Sequence, residues 1–456
     1  MNIDSINNVY FVGIGGIGMS AIARYFNSIG KNVAGYDRVS KDLTNKLISE
    51  GIDIHFDDNI ELIENKYKNS ETCLIVYTPA IPKNHEELNY FIDNNFIVKK
   101  RSEVLGMLCN SKQGIAVAGT HGKTTITTMI AHLLKQSTIG CNAFLGGISK
   151  NYNSNYLVDI NSEKIVIEAD EFDRSFLTLF PDIAVVSAID ADHLDIYGNA
   201  DNLKKSFEDF ISQINNKGIL IIKKGLEVNL PEHNEIDVYY YSLNEKADFY
   251  AENIRIEDGL YVFDFVSAKT RINNIKLGLA GRINVENSIA ALAAASLSGV
   301  SSAELKTSLA TFDGILRRFD YQIRTKEFVY IDDYAHHPAE LEATINSVKE
   351  IYPKKKITGV FQPHLFSRTR DFASEFAQSL DLLDEIILLD IYPAREKPIE
   401  GVSSKIIFDK LITKNKIICN KNELVNILKK KKPEVLLTLG AGDIDGFVES
   451  IKKIFK

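Results

Sequence analysis

The 456-residue chain has few of the features that mark secreted, membrane-spanning or nucleic-acid-binding proteins. Its four cysteines, Cys73, Cys109, Cys141 and Cys419, form no CxxC pair, so we expect neither a disulfide framework nor a thiolate metal site, and a reducing compartment fits. No run reaches the roughly 18 to 20 apolar residues that a membrane helix requires. The N-terminal segment has no basic region followed by an apolar core. We therefore expect a cytoplasmic protein without a membrane partner.

Charge and length narrow the class further. Lys and Arg total 53 against 61 Asp and Glu, a formal net charge of −8, and this acidic balance argues against nucleic acid as a partner. Hydrophobic residues make up 45% and charged residues 25% of the chain, as is ordinary for globular proteins. The length exceeds that of one ordinary hydrophobic core and predicts several domains.

The hydrophobic pattern predicts three α/β segments in series. Short apolar runs alternate with amphipathic ones from residue 8 to about 108, again from "GIAVAG" onward, and a third time from about residue 328. This alternation indicates parallel sheets covered by helices. From about 238 to 278 the period changes to two, which predicts antiparallel strands with "EDG" (257–259) as a hairpin turn. A long Ala-rich helix follows and ends near Gly299.

The first of two glycine-rich loops follows the first predicted strand. Gly13, Gly15 and Gly18 satisfy G-x-G-x-x-G, with Gly16 between them, and a helix follows. Such glycines allow a tight turn and close approach of the backbone to a phosphate at the helix N-terminus. Asp37 ends the next strand, where an acidic residue can accept a ribose hydroxyl. Taken alone, the loop fits NAD as well as any other nucleotide, and a packing turn without a ligand is the alternative.

The second loop, "GTHGKTT", also lies between a strand and a helix. Its backbone N–H groups are expected to surround a triphosphate, the lysine to place a positive charge on the β and γ oxygens, and the first threonine to suit Mg²⁺. The loop departs from the common G-x-x-x-x-G-K-[ST] pattern, because Val117 stands at the first glycine position and Gly119 supplies the extra glycine. The predicted ATP-binding residues of this loop are Gly119, Thr120, Gly122, Lys123, Thr124 and Thr125.

Two acidic segments end strands in the same part of the chain. One carries Glu168, Asp170, Glu171 and Asp173, and the other Asp190, Asp192, His193 and Asp195. Mg²⁺ requires oxygen ligands beyond the phosphates, and ligands of α/β proteins gather at the carboxyl ends of strands. Glu168 is therefore the preferred metal ligand, with solvated acidic turns as the alternative.

The order of these motifs resembles that of the Mur ligases, the ATP-dependent amino-acid ligases that build the peptide stem of peptidoglycan. The resemblance rests on "GTHGKTT", "EADE", "DHLD", "GRINVEN", "DDYAHHP", "QPHLFSRTRDF" and "GAGD", which extend over residues from about 10 to 445. It implies that the first loop binds the diphosphate of a UDP-sugar and the second binds ATP. The implied activity is the ligation of L-alanine to the lactyl carboxylate of UDP-N-acetylmuramate through an acyl phosphate, with ATP and Mg²⁺, in cell-wall biosynthesis.

The resemblance also implies the architecture and the partners. Its fold class is α/β with three domains: a Rossmann-like UDP-sugar-binding domain (1–108), a central ATP-binding P-loop domain with a parallel sheet and a small antiparallel sheet (109–317), and a Rossmann-like amino-acid-binding domain (318–456). The expected partners are the two small-molecule substrates, and the expected state is a monomer or a weak homodimer.

Site residues follow from the same resemblance. The catalytic residues would be Lys123, Glu168, His193 and Arg318, and the metal ligands Thr124, Glu168 and His193. Asn284 and Asn287 would contact adenine, because a carboxamide offers a donor and an acceptor. Gly13, Gly15, Gly16, Gly18 and Asp37 would bind the UDP-sugar, and Tyr334, His336, His364 and Arg368 the amino acid.

The chain departs from the family at two of these sites. Ile283 stands where family members commonly have His, and Leu365 where an arginine is common. These departures place one adenine contact and one carboxylate contact in question. Asn284 also fits an N-cap of the Ala-rich helix, and His336, His337 and His364 also fit a zinc site, although without HExxH spacing.

Four other functions remain open at this point. A recycling ligase would add a whole tripeptide to the same sugar nucleotide. A folylpolyglutamate-type ligase would share the central domain but leave the first loop unexplained. An NAD-dependent oxidoreductase would explain the first loop alone, and an ATP-gated sensor of UDP-sugars would bind nucleotides without turnover.

Overall fold

The computed structural model describes residues 6–190, 194–231, 235–394 and 396–455, except for the side chains of residues 173, 194 and 195. The described chain forms two compact units. The first contains residues up to 252 together with 265–273 and 287–310, and the second contains 253–264, 274–286 and the residues from 311 onward. Three sheets provide the framework.

The first sheet has five parallel strands in the order β3-β2-β1-β4-β5. They are β1 (Asn8–Val12), β2 (Asn32–Tyr36), β3 (Asp53–His55), β4 (Cys73–Tyr77) and β5 (Ile97–Lys100), with helices α1 (Ile17–Ser28), α2 (Asp42–Ser49), α3 (Glu86–Asp93) and α4 (Arg101–Asn110). The buried β1 pairs with β2 on one side and β4 on the other. The strand order therefore reverses at β1, and the first glycine loop leaves its carboxyl end at this switch point.

The central sheet has ten strands in the order β15-β14-β13-β12-β11-β10-β6-β9-β7-β8. Its strands are β6 (Gln113–Ala118), β7 (Asn142–Ser149), β8 (Ser154–Leu157), β9 (Lys164–Glu168), β10 (Ile183–Val186), β11 (Ile219–Lys223), β12 (Asp237–Ser242), β13 (Phe249–Glu257), β14 (Leu260–Ser267) and β15 (Arg271–Lys276). The accompanying helices are α5 (Lys123–Lys135), α6 (Leu194–Tyr197), α7 (Ala200–Ser212), α8 (Arg282–Leu297) and α9 (Ser302–Ala310). Strand β6 pairs in parallel with β9 and β10, so the second loop and both acidic segments follow neighbouring strand ends.

The hairpin predicted at "EDG" is present between β13 and β14. Asp258 (φ 51°) and Gly259 (φ 72°) both have positive φ, as a two-residue turn matching the twist of its strands requires. The strands predicted as antiparallel for this region extend the central sheet instead of forming a sheet of their own. The prediction is wrong for the first of them, because β12 pairs in parallel with both β11 and β13.

The third sheet has six strands in the order β16-β17-β21-β18-β19-β20. They are β16 (Asp320–Arg324), β17 (Val329–Asp333), β18 (Ile357–Phe361), β19 (Glu385–Leu388), β20 (Lys416–Ile418) and β21 (Val435–Leu439). The helices are α10 (Pro338–Ile351), α11 (Phe366–Asp371), α12 (Ala373–Leu380), α13 (Lys405–Phe408), α14 (Lys421–Lys431) and α15 (Val448–Phe455). Only β16 pairs antiparallel among the described pairings of this sheet. "DDYAHHP", "QPHLFSRTR" and "GAGD" thus follow three adjacent strands.

Apolar side chains explain why these elements pack. In the first unit one core cluster runs from the first sheet into the central sheet, and the Tyr25 ring lies 5.7 Å from that of Phe144. In the second unit alternate residues of the strands enter two clusters, one on each face of the sheet. Burial on both faces accounts for the near-continuous apolar character of these strands in the sequence.

The predicted fold class, three α/β domains with parallel sheets, is confirmed. The domain limits near 109 and 318 stay predictions. In the part of the chain that the structure describes, no helix combines the length and apolar character needed to cross a bilayer.

Close packing of β1 against β2 makes Gly35 a sensitive position. A Cβ at Gly35 would lie 3.0 Å from the Cβ of Phe11 and 3.2 Å from Cδ1 of Ile14, and closer still to the carbonyl oxygen of Phe11. Gly35→Ala should therefore lower the free energy of unfolding by about 1 to 3 kcal/mol, measured by chemical denaturation. Gly446→Ala is the matched control, because a Cβ there meets open space and should change stability by less than about 0.5 kcal/mol. Equal effects of the two substitutions would contradict this packing argument.

Candidate functional site

The loop between β6 and α5 has the backbone form of a phosphate-binding loop. Gly119 (φ 140°) and Gly122 (φ 83°) adopt positive φ, a region that glycine enters without steric cost. Gly122 is the N-cap of α5 and Lys123 its first residue. The loop therefore leads into a helix N-terminus, where unpaired N–H groups and the helix dipole attract anions. The N–H of Thr120 donates to the carbonyl of Ala188 at 3.0 Å, which fixes the loop to the end of β10.

Lys123 is held by a buried ion pair. Its ammonium nitrogen lies 2.7 Å from the carbonyl oxygen of Gly119 and 2.9 and 2.8 Å from the two carboxylate oxygens of Glu171. Burial alone would lower the pKa of Lys123, but the carboxylates of Glu171, Asp170 and Glu168 raise it above its ordinary value. The lysine is therefore positively charged inside the loop.

Oxygen ligands suited to a divalent cation lie beside the first turn of this helix, one on α5 and one at the end of β9. The hydroxyl of Thr124 donates to Oε1 of Glu168 at 3.0 Å, and Thr125 is buried beside it. The carboxylate of Glu168 presses against the backbone of Gly146, where any Cβ would collide with it. A hydroxyl and a carboxylate beside a phosphate loop match the oxygen donors that Mg²⁺ prefers.

The two asparagines of "GRINVEN" lie one helix turn apart on α8. Oδ1 of Asn287 lies 2.8 Å from the position that a Cβ on Gly122 would occupy, so Asn287 borders the phosphate loop. Nδ2 of Asn284 donates to the carbonyl of Ala280 at 2.6 Å. Because α8 begins at Arg282, Asn284 lies in its first turn, and the alternative reading of this residue as the N-cap is wrong. Adenine contact by either asparagine stays a prediction.

His193 lies outside the described residues, so its catalytic and metal roles stay predictions. The described part of the same segment meets the loop at Asp190. The Asp190 N–H donates to the Thr120 hydroxyl at 3.0 Å, and its carboxylate lies 3.6 Å from Nε2 of His121. The second acidic segment therefore begins beside the phosphate loop.

The first glycine loop is fixed by the end of β2. The N–H groups of Gly13 and Ile14 both donate to the carbonyl of Tyr36, at 2.8 and 3.0 Å. Gly16 is the N-cap of α1 and makes no side-chain cap, so N–H groups of this helix end remain available to an anion. Gly18, the second residue of α1, faces the guanidinium of Arg101, which would lie 2.9 Å from a Cβ at this glycine.

Asp37 braces this loop. Its carboxylate accepts the N–H of Gly15 at 2.7 Å and the N–H of Val39 at 3.2 Å. These bonds hold the glycine turn in shape before any ligand binds. Contact of Asp37 with the UDP-sugar stays a prediction.

In the second unit, two guanidinium groups lie close to the ring of Tyr334. The Cζ atoms of Arg317 and Arg318 are 5.0 and 4.9 Å from its ring centroid, within cation–π range. The Tyr334 N–H also donates to the carbonyl of Arg317 at 2.7 Å. Arg318, the predicted catalytic arginine, has a carboxylate of Glu340 at 3.9 Å. This longer contact leaves Arg318 less constrained than Arg317.

Arg317 is fixed by several partners. Its Nη2 donates to the carbonyl of Gly440 at 2.7 Å, its Nη1 lies 3.2 Å from a carboxylate oxygen of Asp445, and its Nε lies 3.5 Å from Asp332. Its backbone has a φ of 64°, which is costly for a residue with a side chain. The contacts of the guanidinium therefore hold a strained turn at the entry to the third sheet.

Three predicted amino-acid-binding residues form a row of rings. The rings of Tyr334 and His336 have centroids 5.3 Å apart, and those of His336 and His364 5.9 Å apart. Nδ1 of His336 lies 3.2 Å from a carboxylate oxygen of Glu340. The His364 ring stacks on that of Tyr392 with an interplanar angle of 17°. The structure therefore brings Tyr334, His336 and His364 together.

Arg368 lies on α11, and its side chain is buried. Leu365, where the resemblance implies that an arginine is common, is the N-cap of this helix with φ 70° and ψ 137°. Non-glycine residues rarely adopt such a backbone, and strain of this kind gathers at functional sites. The helix carrying Arg368 thus starts directly after His364 at a strained residue.

The zinc alternative has no support in the described residues. His337 is the N-cap of α10 and accepts the N–H of Ala339 at 3.4 Å, and its ring packs on Phe372 at 5.1 Å. Across the described ranges no group of three or more His, Cys, Asp or Glu side chains is arranged to hold a metal ion.

Two buried carboxylates end β17. Burial raises the pKa of Asp332 to about 6, although the Thr438 hydroxyl and Arg317 partly oppose the shift. Burial also raises the pKa of Asp333, opposed by Arg318 and by two backbone N–H groups. Asp332 and Asp333 are the last residues of β17 and directly precede Tyr334, the first residue of the row of rings.

The structure shows contacts of three residues that the sequence motifs did not predict. Glu171 pairs with Lys123, Arg317 fixes the turn before Tyr334, and Arg101 lies beside the first glycine loop. The acidic run at a strand end was a signal for Glu171, but the run did not indicate which carboxylate faces the lysine. No signal distinguished Arg101 from other surface arginines.

Sequence profiles of known families match the chain in three consecutive segments. The profile of the "Mur ligase family, catalytic domain" matches residues 8–113, that of the "Mur ligase middle domain" residues 117–295, and that of the "Mur ligase, glutamate ligase domain" residues 317–442. Together these segments include all three sheets.

Curated proteins match over the whole length. The chain is 55% identical over 454 residues to a UDP-N-acetylmuramate–L-alanine ligase of Parabacteroides distasonis, covering 100% of this chain and 98% of the relative. It is 53% identical over 452 residues to the ligase of the same name from Phocaeicola vulgatus, covering 99% and 98%.

Solved structures agree with this comparison. The chain matches a UDP-N-acetylmuramate–alanine ligase of Thermotoga maritima with a TM-score of 0.79 and 27% identity, covering 98% of this chain and 99% of the other. A murein peptide ligase of Psychrobacter arcticus matches with a TM-score of 0.66 and 21% identity over 98% of each chain, which shows a shared fold alone.

The buried Asp332 makes stability depend on pH in a defined direction. Its pKa of about 6 in the folded chain exceeds the ordinary 3.8, so the folded state holds the proton more tightly than the unfolded state. The resulting stabilisation is complete below the ordinary pKa and is lost as pH rises through about 6. Asp332→Asn cannot ionise, so its stability relative to the wild type should rise by on the order of 3 kcal/mol from low to neutral pH.

Urea denaturation of both chains between about pH 4.5 and about pH 7.5 should show about 2 kcal/mol of this difference, because the wild type has already lost part of the stabilisation at the lower pH. Parallel stability curves for the two chains would show that Asp332 does not carry a raised pKa.

Proposed function

The chain belongs to the Mur ligase family, and from this premise we propose that it joins L-alanine to the lactyl carboxylate of UDP-N-acetylmuramate at the expense of ATP. The observation that carries the proposal is the full-length similarity to curated ligases of that name at more than half identity. The two glycine loops support it, because the reaction requires a sugar nucleotide and a nucleoside triphosphate in the same chain.

ATP is the proposed ligand of the second loop. The positive end of α5 and the ammonium of Lys123 suit the β and γ phosphates. Asn284 and Asn287 are proposed to meet adenine, and Arg318 to contact the γ-phosphate. The first loop, with Gly13, Gly15, Gly16, Gly18 and Asp37, is proposed to hold the UDP diphosphate at the end of α1.

Magnesium fits the residues present beside the second loop. Thr124 and Glu168 would hold it, since their side-chain oxygens already meet at 3.0 Å, and His193 is a further proposed ligand. When bound, Mg²⁺ neutralises charge on the phosphate oxygens.

The proposed reaction has two steps, phosphoryl transfer and amide formation. A lactyl carboxylate oxygen forms a bond to the γ-phosphorus of ATP and ADP leaves, giving an acyl phosphate. The amine nitrogen of L-alanine, after its ammonium form loses one proton to solvent, bonds to the acyl carbon. The nitrogen then loses a second proton to solvent as the bond from carbon to the phosphate oxygen breaks, and phosphate leaves. The chain's contribution is positioning and positive charge, supplied by Lys123 and Arg318, because phosphoryl transfer gains most from these.

The amino acid is proposed to bind beside the ring row of the third sheet. Arg368 has the fork of donors that recognises a carboxylate, and Tyr334, His336 and His364 surround the amine and the methyl group. We also propose that the protein acts in the cytoplasm and that it is a monomer or a weak homodimer.

Phosphate release tests the function directly. Purified chain with ATP, Mg²⁺ and UDP-N-acetylmuramate should release phosphate only when an amino acid is added, and L-alanine should give the highest kcat/KM. Release without the sugar nucleotide, or none with any single amino acid, would contradict the proposal. Release with only the tripeptide would identify the recycling ligase instead.

Two neighbouring arginines give a matched control for the amino-acid site. Arg368→Ala should raise KM for L-alanine roughly ten- to hundredfold, the range for loss of a charge-assisted hydrogen bond, and leave KM for ATP unchanged. Arg370 is exposed and pairs with Asp371 at 2.7 Å, so Arg370→Ala should change neither constant. Equal effects of the two substitutions would remove Arg368 from the site.

A further inference from the structure

The ammonium of Lys123 is paired with a carboxylate in this structure. It donates to the carbonyl of Gly119 at 2.7 Å and to Oε1 of Glu171 at 2.9 Å, and Oε2 of Glu171 lies 2.8 Å from the same nitrogen. A phosphate that approaches this ammonium therefore meets a cation whose charge is already balanced by a second anion.

The backbone of Glu171 is fixed by neighbouring residues. Its carbonyl accepts the hydroxyl of Tyr197 and the N–H of Arg174, the latter at 2.9 Å, and the guanidinium of Arg174 lies over the Tyr197 ring at 5.4 Å. The side chain of Glu171 is completely buried. Movement of Lys123 toward a nucleotide therefore draws the ammonium away from a carboxylate whose backbone stays in place.

We propose that Glu171 is a positioning residue that acts through Lys123. Its carboxylate pairs with the ammonium of Lys123 in place of phosphate, until the phosphates of a nucleoside polyphosphate displace it. The inference deepens the proposed function and rests on it, because it takes ATP as the ligand of this loop. Two anions then compete for one cation, and the affinity of the loop depends on the number of phosphates that a nucleotide offers.

The electrostatic environment supports this competition. Nearby carboxylates raise the pKa of Lys123 despite its burial, so the ammonium stays charged across the physiological range.

Isothermal titration with a non-hydrolysable ATP analogue and Mg²⁺ tests the inference. Glu171→Gln keeps the size of the side chain but removes its charge and one acceptor, so the analogue should bind about five- to tenfold more tightly, within the range of coupling between contacting residues. AMP offers no β or γ phosphate to Lys123, so its affinity should not change. Unchanged or weaker binding of the analogue would overturn the inference.

Asp170→Asn is the matched control for charge alone. Asp170 follows the same strand, and its carboxylate accepts the N–H of Phe172 at 3.1 Å, a bond that asparagine can retain. It acts on Lys123 only through its charge. Equal tightening by Asp170→Asn and Glu171→Gln would show a general effect of charge and overturn the positioning role.

A double-mutant cycle isolates the path through the lysine. In the Lys123→Ala background, Glu171→Gln should no longer tighten binding of the analogue, because the competing pair is gone. Tightening that persists without Lys123 would also overturn the inference. Thermal denaturation confirms that each variant is folded.

These titrations contain neither sugar nucleotide nor amino acid, so they separate the two ideas. Nucleotide binding without alanine-dependent phosphate release would contradict the proposed function alone. Failure of the wild-type chain to bind the analogue would contradict both.

Discussion

A parallel sheet delivers its strand-to-helix loops to one edge, and this constraint decides where the polar residues of the chain meet. Strand β6 lies between β9 and β10, with Val117 beside Glu168 and Ala118 beside Val186. The phosphate loop and the acidic segments are far apart in the sequence, but this pairing places their starting points side by side. The same constraint places the first glycine loop at the switch point of the first sheet, and "DDYAHHP", "QPHLFSRTR" and "GAGD" at adjacent strand ends of the third.

Charge then organises each edge. In the first unit the ammonium of Lys123 balances a wholly buried carboxylate, and such a pair is costly when one partner is removed. In the second unit Arg317 makes three kinds of contact around a strained turn and contributes one of the two guanidinium groups on Tyr334. Burial of Asp332 and Asp333 beside these arginines costs stability. Functional sites commonly retain charge of this kind at the expense of stability.

Much of this could be predicted from the sequence, because glycine spacing and strand–helix alternation are local signals. Both loops, the hairpin at Asp258 and Gly259, and the carboxyl-edge position of Glu168 follow from such signals. The choice between Glu168 and Glu171 could not be predicted, since both follow the same strand and only the turn geometry decides which one reaches Lys123. The roles of Arg317 and Arg318 are likewise separated by backbone conformation. The N-cap interpretation of Asn284 failed because the sequence does not show at which residue α8 begins. An asparagine in the first turn of a helix has the same sequence signal as an N-cap.

We propose that the two phosphate loops of the chain bind two different nucleotides at the same time. Titration of the ATP analogue into the chain alone, and again with UDP-N-acetylmuramate at saturation, distinguishes two sites from one. We expect one equivalent of each ligand per chain, bound together, with Lys123→Ala weakening only the ATP analogue. Mutual displacement of the two ligands, with a total of one equivalent per chain, would show a single nucleotide site and overturn this proposal.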